Sequence, residues 1–126
     1  MMEKLAKILV VDDDPDIGNM IRMILEYKGF TVVVLKNGER APEIMKNSNI
    51  DMVIMDMLLS GINGTDICAA CKKDISISHI PLVMMSAHTD AEQICLKAGA
   101  DDFILKPFEI DELLRKISML VSQKPV

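Results

Sequence analysis

Hydrophobic residues follow two alternating rhythms along this chain. Short unbroken apolar runs alternate with longer stretches in which apolar positions recur every three or four residues. The first pattern suits strands buried on both faces, and the second suits helices packed on one side. Lys7 to Val11 reads as the first strand and leads into Asp12-Asp13-Asp14-Pro15-Asp16. Asp14 followed by Pro15 predicts a helix start. Its stripe is Ile17, Met20, Ile21, Ile24 and Lys28, with Leu25 at the edge, and Gly29 is the expected terminator. Thr31 to Leu35 is β-branched and reads as the second strand. Asn37-Gly38 predicts a turn. A second helix follows through Ile44 and Met45 to Lys46. Pro42 requires that helix to begin near Ala41 or to have a distorted first turn. Met52 to Met55 is the third strand, and it ends abruptly in Asp56. Met57 to Gly64 reads as a loop containing Gly61 and Gly64. A third helix runs from about Thr65 to Lys73. Leu82 to Met85 is a fourth strand ending at Ser86, followed by a helix from about Asp90 to Ala98 that stops at Gly99. Phe103 to Leu105 is the fifth strand, ending at Lys106-Pro107. The last helix runs from about Glu109 to Val121, with Ile110, Leu113, Leu114, Ile117, Leu120 and Val121 on its stripe.

Alternating strands and helices predict an α/β fold: a five-stranded parallel sheet with helices on both faces. Right-handed crossovers leave few topologies, and the commonest is the doubly wound order 2-1-3-4-5. That order makes the first and third strands neighbours. Asp12, Asp13 and Asp56 then meet at one carboxyl edge, with Ser86 and Lys106 lining the same edge. Open α/β sheets bind their ligands there.

Composition narrows the function. A chain of 126 residues, half of them hydrophobic, fits one domain over 1–126, and no effector domain is expected in it. No apolar run approaches the roughly 18 residues of a membrane span, and no secretory signal opens the chain. A net charge of −5 argues against direct nucleic-acid binding by this domain. Three cysteines without a signal point to a reducing, cytoplasmic setting. The eleven methionines read as core filling and adaptable contact surface, Met119 falling off the main stripe of the last helix.

Gathered carboxylates repel one another and stay ionised only beside a cation. An all-oxygen site with two or three carboxylates suits Mg²⁺, which favours phosphate oxygens as remaining ligands. Lys106 adds an ammonium and Ser86 a hydroxyl. These are the parts for phosphoryl transfer onto a carboxylate, with Asp56, at the end of the central strand, as nucleophile.

Four blocks carry a family resemblance: Ile8-Leu9-Val10-Val11-Asp12-Asp13, Val53-Ile54-Met55-Asp56 with Gly64 eight residues on, Ser86-Ala87, and Lys106-Pro107-Phe108. Together they resemble the receiver domains of two-component response regulators, flavodoxin-like in fold, over nearly the whole chain. The resemblance implies that Asp56 accepts a phosphoryl group from a sensor histidine kinase or a histidine phosphotransfer protein. It implies that Asp13, Asp56 and the backbone carbonyl of Leu58 ligate Mg²⁺, with Asp12 acting through water. Lys106 would hold the phosphoryl group and Ser86 would turn toward it. Phe103 would be the switch aromatic that changes rotamer. The Lys106–Pro107 bond is expected to be cis. The expected output surface, toward an effector or a second copy, is the face of the fourth helix, fifth strand and fifth helix. The chain departs from the family at Ser60, where proline is usual, which predicts a more mobile loop. It departs also at Phe103, which lacks a tyrosine's hydroxyl.

Other features have plainer readings. Asp14 and Asp16 suit the start of a helix, where its dipole favours negative charge. Cys68 and Cys71 sit inside a predicted helix, Cys71 on the stripe of Ile67, which suits packing rather than redox chemistry. His79 reads as a surface loop residue. His88 and Leu58 are placed at the rim of the site. A Mg²⁺-dependent phosphatase would need a general acid where Leu58 stands. A degenerate receiver would lack Asp13, Asp56 or Lys106, and all are present. A flavodoxin-like electron carrier would need a phosphate-cradling loop after the first strand, and none is seen.

Overall fold

The computed structural model describes residues 6–59 and 61–122. Five strands form one parallel sheet: β1 (Lys7–Val11), β2 (Thr31–Leu35), β3 (Met52–Asp56), β6 (Leu82–Ser86) and β7 (Asp102–Leu105). Their order is β2-β1-β3-β6-β7, the predicted 2-1-3-4-5 arrangement. Leu9 lies between Val33 and Val53, and Met55 is paired with Met84, so the apolar runs are in register across the centre.

Side chains alternate across the sheet and build two cores. On one face Leu9, Val11, Val53, Met55, Leu82, Met84 and Phe103 meet helices α2 (Ala41–Asn47), α3 (Gly64–Lys73) and α4 (Ala91–Lys97). On the other, Ile8, Val10, Ile54, Val83, Met85 and Ile104 meet α1 (Pro15–Tyr27) and α5 (Ile110–Ser122). Cys68 and Cys71 are buried in the first core as free thiols, in agreement with the packing reading, and Cys95 is buried there with them. His79 is exposed in the loop before β6, as expected.

The ends of the helices follow local chemistry. Asp14 caps α1 by accepting the Asp16 N–H, with Pro15 in the first turn. Gly29, at φ 99°, closes α1, with its own N–H bonded to Glu26 and the next one, on Phe30, to Leu25. That left-handed turn is one a side chain would strain.

Some expectations need correction. The buried stripe of α1 is Gly18, Ile21 and Leu25, whereas Met20 is 44% exposed. Leu25 is therefore central, because α1 turns the edge of its apolar face toward the sheet. Ile110 is likewise exposed at the start of α5, and Leu113 and Ile117 make the contact. Asn37-Gly38 opens a 3₁₀ turn (Gly38–Arg40) that feeds directly into α2. Pro42 then sits in the first turn of α2, where no N–H is missed. The stretch after Asp56 is more than an open loop. Leu58–Leu59 (β4) and Ile62–Asn63 (β5) pair as a short antiparallel hairpin, because Leu59 is drawn into the first core. Ser60 lies outside the described residues.

Candidate functional site

The carboxyl edge of the sheet gathers what the sequence placed there. Asp56 ends β3, Asp12 and Asp13 follow β1, Ser86 ends β6, and Lys106 follows β7. One carboxylate oxygen from each of Asp12, Asp13 and Asp56 lies within 4.8 Å of the others. Asp12 is 1% exposed. One of its oxygens accepts the Asp14 N–H at 2.9 Å, and the other lies 3.3 Å from Lys106 Nζ. The same Nζ lies 3.2 Å from Asp56 Oδ2, so one ammonium bridges two carboxylates. Lys106 is aimed by its backbone, whose N–H bonds the Ser86 carbonyl at 2.8 Å, and the Lys106–Pro107 bond is cis.

Burial pushes the Asp56 carboxyl above its usual range. The Lys106 charge opposes that shift, Asp12 adds to it, and a backbone hydrogen bond from Leu58 opposes it again. A partly desolvated carboxylate among like charges is a site that gains from a cation.

Two contacts hold the segment after Asp56 close to the strand. The Gly64 N–H bonds the Met57 carbonyl at 2.7 Å. A Cβ on Gly64 would collide with the Asp56 carbonyl oxygen and sit 2.9 Å from that of Met57. Asn63 then caps α3, accepting from the Thr65 N–H at 3.0 Å and the Thr65 hydroxyl at 2.6 Å.

Ser86 is buried, and its Oγ accepts the His88 N–H at 3.1 Å. Leu58 and His88 are both exposed beside the site. Phe103 is one strand further away and buried in the first core. Sequence reasoning did not single out a neighbouring apolar cleft of about 400 Å³, lined by Ile17, Met20, Ala87, Lys106, Pro107 and Phe108. The readable signal was that Ile17 and Met20 widen the stripe of α1 beyond what one sheet contact needs.

The chain matches the response regulator receiver domain family over residues 8–118. It is 37% identical over 113 residues to the DNA-binding response regulator MtrA of Mycolicibacterium smegmatis, covering 88% of this chain and 48% of that protein. The chain thus spans about half the length of the curated relatives it matches. The receiver domain of the Francisella response regulator 1452 superposes with a TM-score of 0.87 at 28% identity, covering 96% of this chain and 100% of that one. The receiver domain of a Pseudomonas aeruginosa sensor histidine kinase, solved with a magnesium ion in its active site cleft, shares the fold. Its TM-score is 0.86 at 24% identity, with 94% of this chain and 98% of that one covered.

Proposed function

Because the chain belongs to the response regulator receiver domain family, we propose that it is a phosphorylation-driven signalling switch whose acceptor is Asp56. The observation that carries this reading is the triad of carboxylates within 4.8 Å, with Lys106 Nζ 3.2 Å from Asp56.

The donor set is all oxygen and strongly negative, which fits Mg²⁺. Asp13, Asp56 and the Leu58 carbonyl would hold it directly and Asp12 through water. Bound there, the ion neutralises charge on the transferring phosphoryl group. Asp56 Oδ forms the new P–O bond while the P–N bond to the donor's histidine breaks, and that electron pair leaves with the imidazole. Lys106 moves from its carboxylate partners onto a phosphoryl oxygen. Ser86 already accepts the His88 N–H, so its own hydroxyl proton is available for another phosphoryl oxygen. Phe103, already buried in the first core, changes rotamer with Ser86 and so reshapes the face formed by α4, β7 and α5. An effector or a second copy of the chain reads that face.

The phosphoryl source is a sensor histidine kinase or a histidine phosphotransfer protein, in the cytoplasm. The domain promotes its own phosphorylation and dephosphorylation without turning over a small-molecule product. No described helix is long and apolar enough to cross a membrane.

Incubation with acetyl phosphate and Mg²⁺, followed by intact mass measurement, tests the assignment. A phosphoryl adduct is expected in the wild type and absent in Asp56→Asn or with EDTA. An unmodified wild type across several small phosphodonors would overturn the reading.

A further inference from the structure

Phe103 is held by its backbone as well as by its side chain. β7 is the last strand of the sheet, with β6 on one side only. An edge residue whose N–H and C=O point away from the sheet normally gives both groups to water. At Phe103 both are taken by side chains. Its N–H donates to Asp102 Oδ1 at 2.8 Å. Its carbonyl accepts from Lys116 Nζ at 2.8 Å. Lys116 Nζ also lies 3.1 Å from the same Asp102 oxygen. One ammonium on α5 therefore fixes the carbonyl directly and the N–H through the carboxylate that receives it.

Phe103 is thus shared by the two layers of the fold. Its side chain lies in the core beneath α4, with Ala91 and Cys95. Its main chain is tied to α5, whose buried residues Leu113 and Ile117 pack on the opposite face. Lys116 and Asp102 side chains are 21% and 36% exposed, so the clasp is half-shielded from water and salt. Charge-assisted hydrogen bonds in such a place are stronger than neutral ones.

We propose that Lys116 is a positioning residue for the switch. It clamps the Phe103 backbone, so that a rearrangement of the Phe103 side chain is passed to α5 rather than absorbed by movement of the edge strand. This rests on the reading of Phe103 given under the proposed function. Nothing in the clamp touches the phosphoryl site, so acceptor chemistry does not depend on it.

The test compares wild type, Lys116→Met, which keeps the stem and loses the ammonium, and Lys116→Arg, which keeps the charge. Intact mass after acetyl phosphate treatment should show equal adduct in all three. Without any phosphoryl group, amide exchange at Phe103 should speed up roughly tenfold in Lys116→Met, the size of one charge-assisted hydrogen bond's loss. With beryllofluoride and Mg²⁺, Lys116→Met should keep the wild-type chemical-shift changes near Ser86 and in α4 but lose more than half of those in α5. Lys116→Arg should restore both. Unchanged exchange at Phe103, or α5 shifts of wild-type size in Lys116→Met, would overturn the proposal. So would an Arg variant as deficient as Met. A wild type that forms no adduct would overturn the acceptor reading instead, and the clamp would then stand or fall on the exchange rates alone.

Discussion

Leu58 is the residue at which chemistry and rate part company. Its backbone belongs to the site, while the residue as a whole is 56% exposed. Hydrolysis of a phosphoryl-aspartate needs a water in line with the breaking bond, opposite Asp56. Leu58 offers that water no hydrogen-bonding group, and the other exposed residue at the rim is His88. The phosphorylated state is therefore expected to be more durable than one with polar residues at both positions. Leu58→Asn should speed its loss about tenfold, since one modest hydrogen bond supplies the roughly 1.4 kcal/mol of barrier that this requires. The decay of the adduct at fixed Mg²⁺ and fixed pH, in wild type and variant, measures it. Equal or slower decay in the variant would refute the shielding.

The β4–β5 hairpin and the start of α3 form the element that sets the geometry behind Asp56. Leu59 anchors it in the core beneath Gly38, where an added Cβ would fall 2.5 Å from Leu59 Cδ1. Gly64 lets it close against backbone carbonyls, and Asn63 turns it into α3. Gly64→Ala should cost about 1–3 kcal/mol of stability, because backbone rather than a flexible side chain must yield. On the proposed ligand set it should also weaken Mg²⁺ binding several-fold, by shifting the Leu58 carbonyl that would serve as a ligand. Urea denaturation and a Mg²⁺ titration followed by NMR report the two effects separately. A variant that binds Mg²⁺ like wild type would show that the hairpin does not position the site.

At the scale of the whole molecule, the buried thiols make stability depend on alkaline pH. Burial pushes Cys68 up to about 12, and Cys71 and Cys95 upward as well. A raised folded-state pKa means that the folded protein keeps its proton where the unfolded chain has lost it. The contribution is whole below about pH 9 and falls away as pH climbs toward 12. For Cys68 the slope in that window approaches about 1.4 kcal/mol per pH unit. Denaturant midpoints between about pH 7 and pH 10.5 should decline less steeply in Cys68→Ala than in wild type. Parallel declines would show that Cys68 is not the group responsible.

The apolar runs and the turn residues between them were enough to define five strands, five main helices and their order, since burial on both faces leaves a parallel strand no polar positions. The same pattern placed Asp12, Asp13, Asp56, Ser86 and Lys106 at strand ends, where backbone geometry alone sends them to one edge. Periodicity could not say which side of α1 faces the sheet, because Ile17, Met20, Ile21 and Leu25 all fit a helical stripe. The packing of α1 against Val10, Val32 and Ile54 chose Ile21 and Leu25. Nor could it reveal the hairpin after Asp56, two residues to a strand and held by a core that other elements supply. The tertiary fold alone joined Lys116 to Asp102 and Phe103, because those contacts depend on where α5 crosses the edge strand. Local pattern reports which face a residue needs to hide, and three-dimensional packing decides which distant group receives its polar atoms.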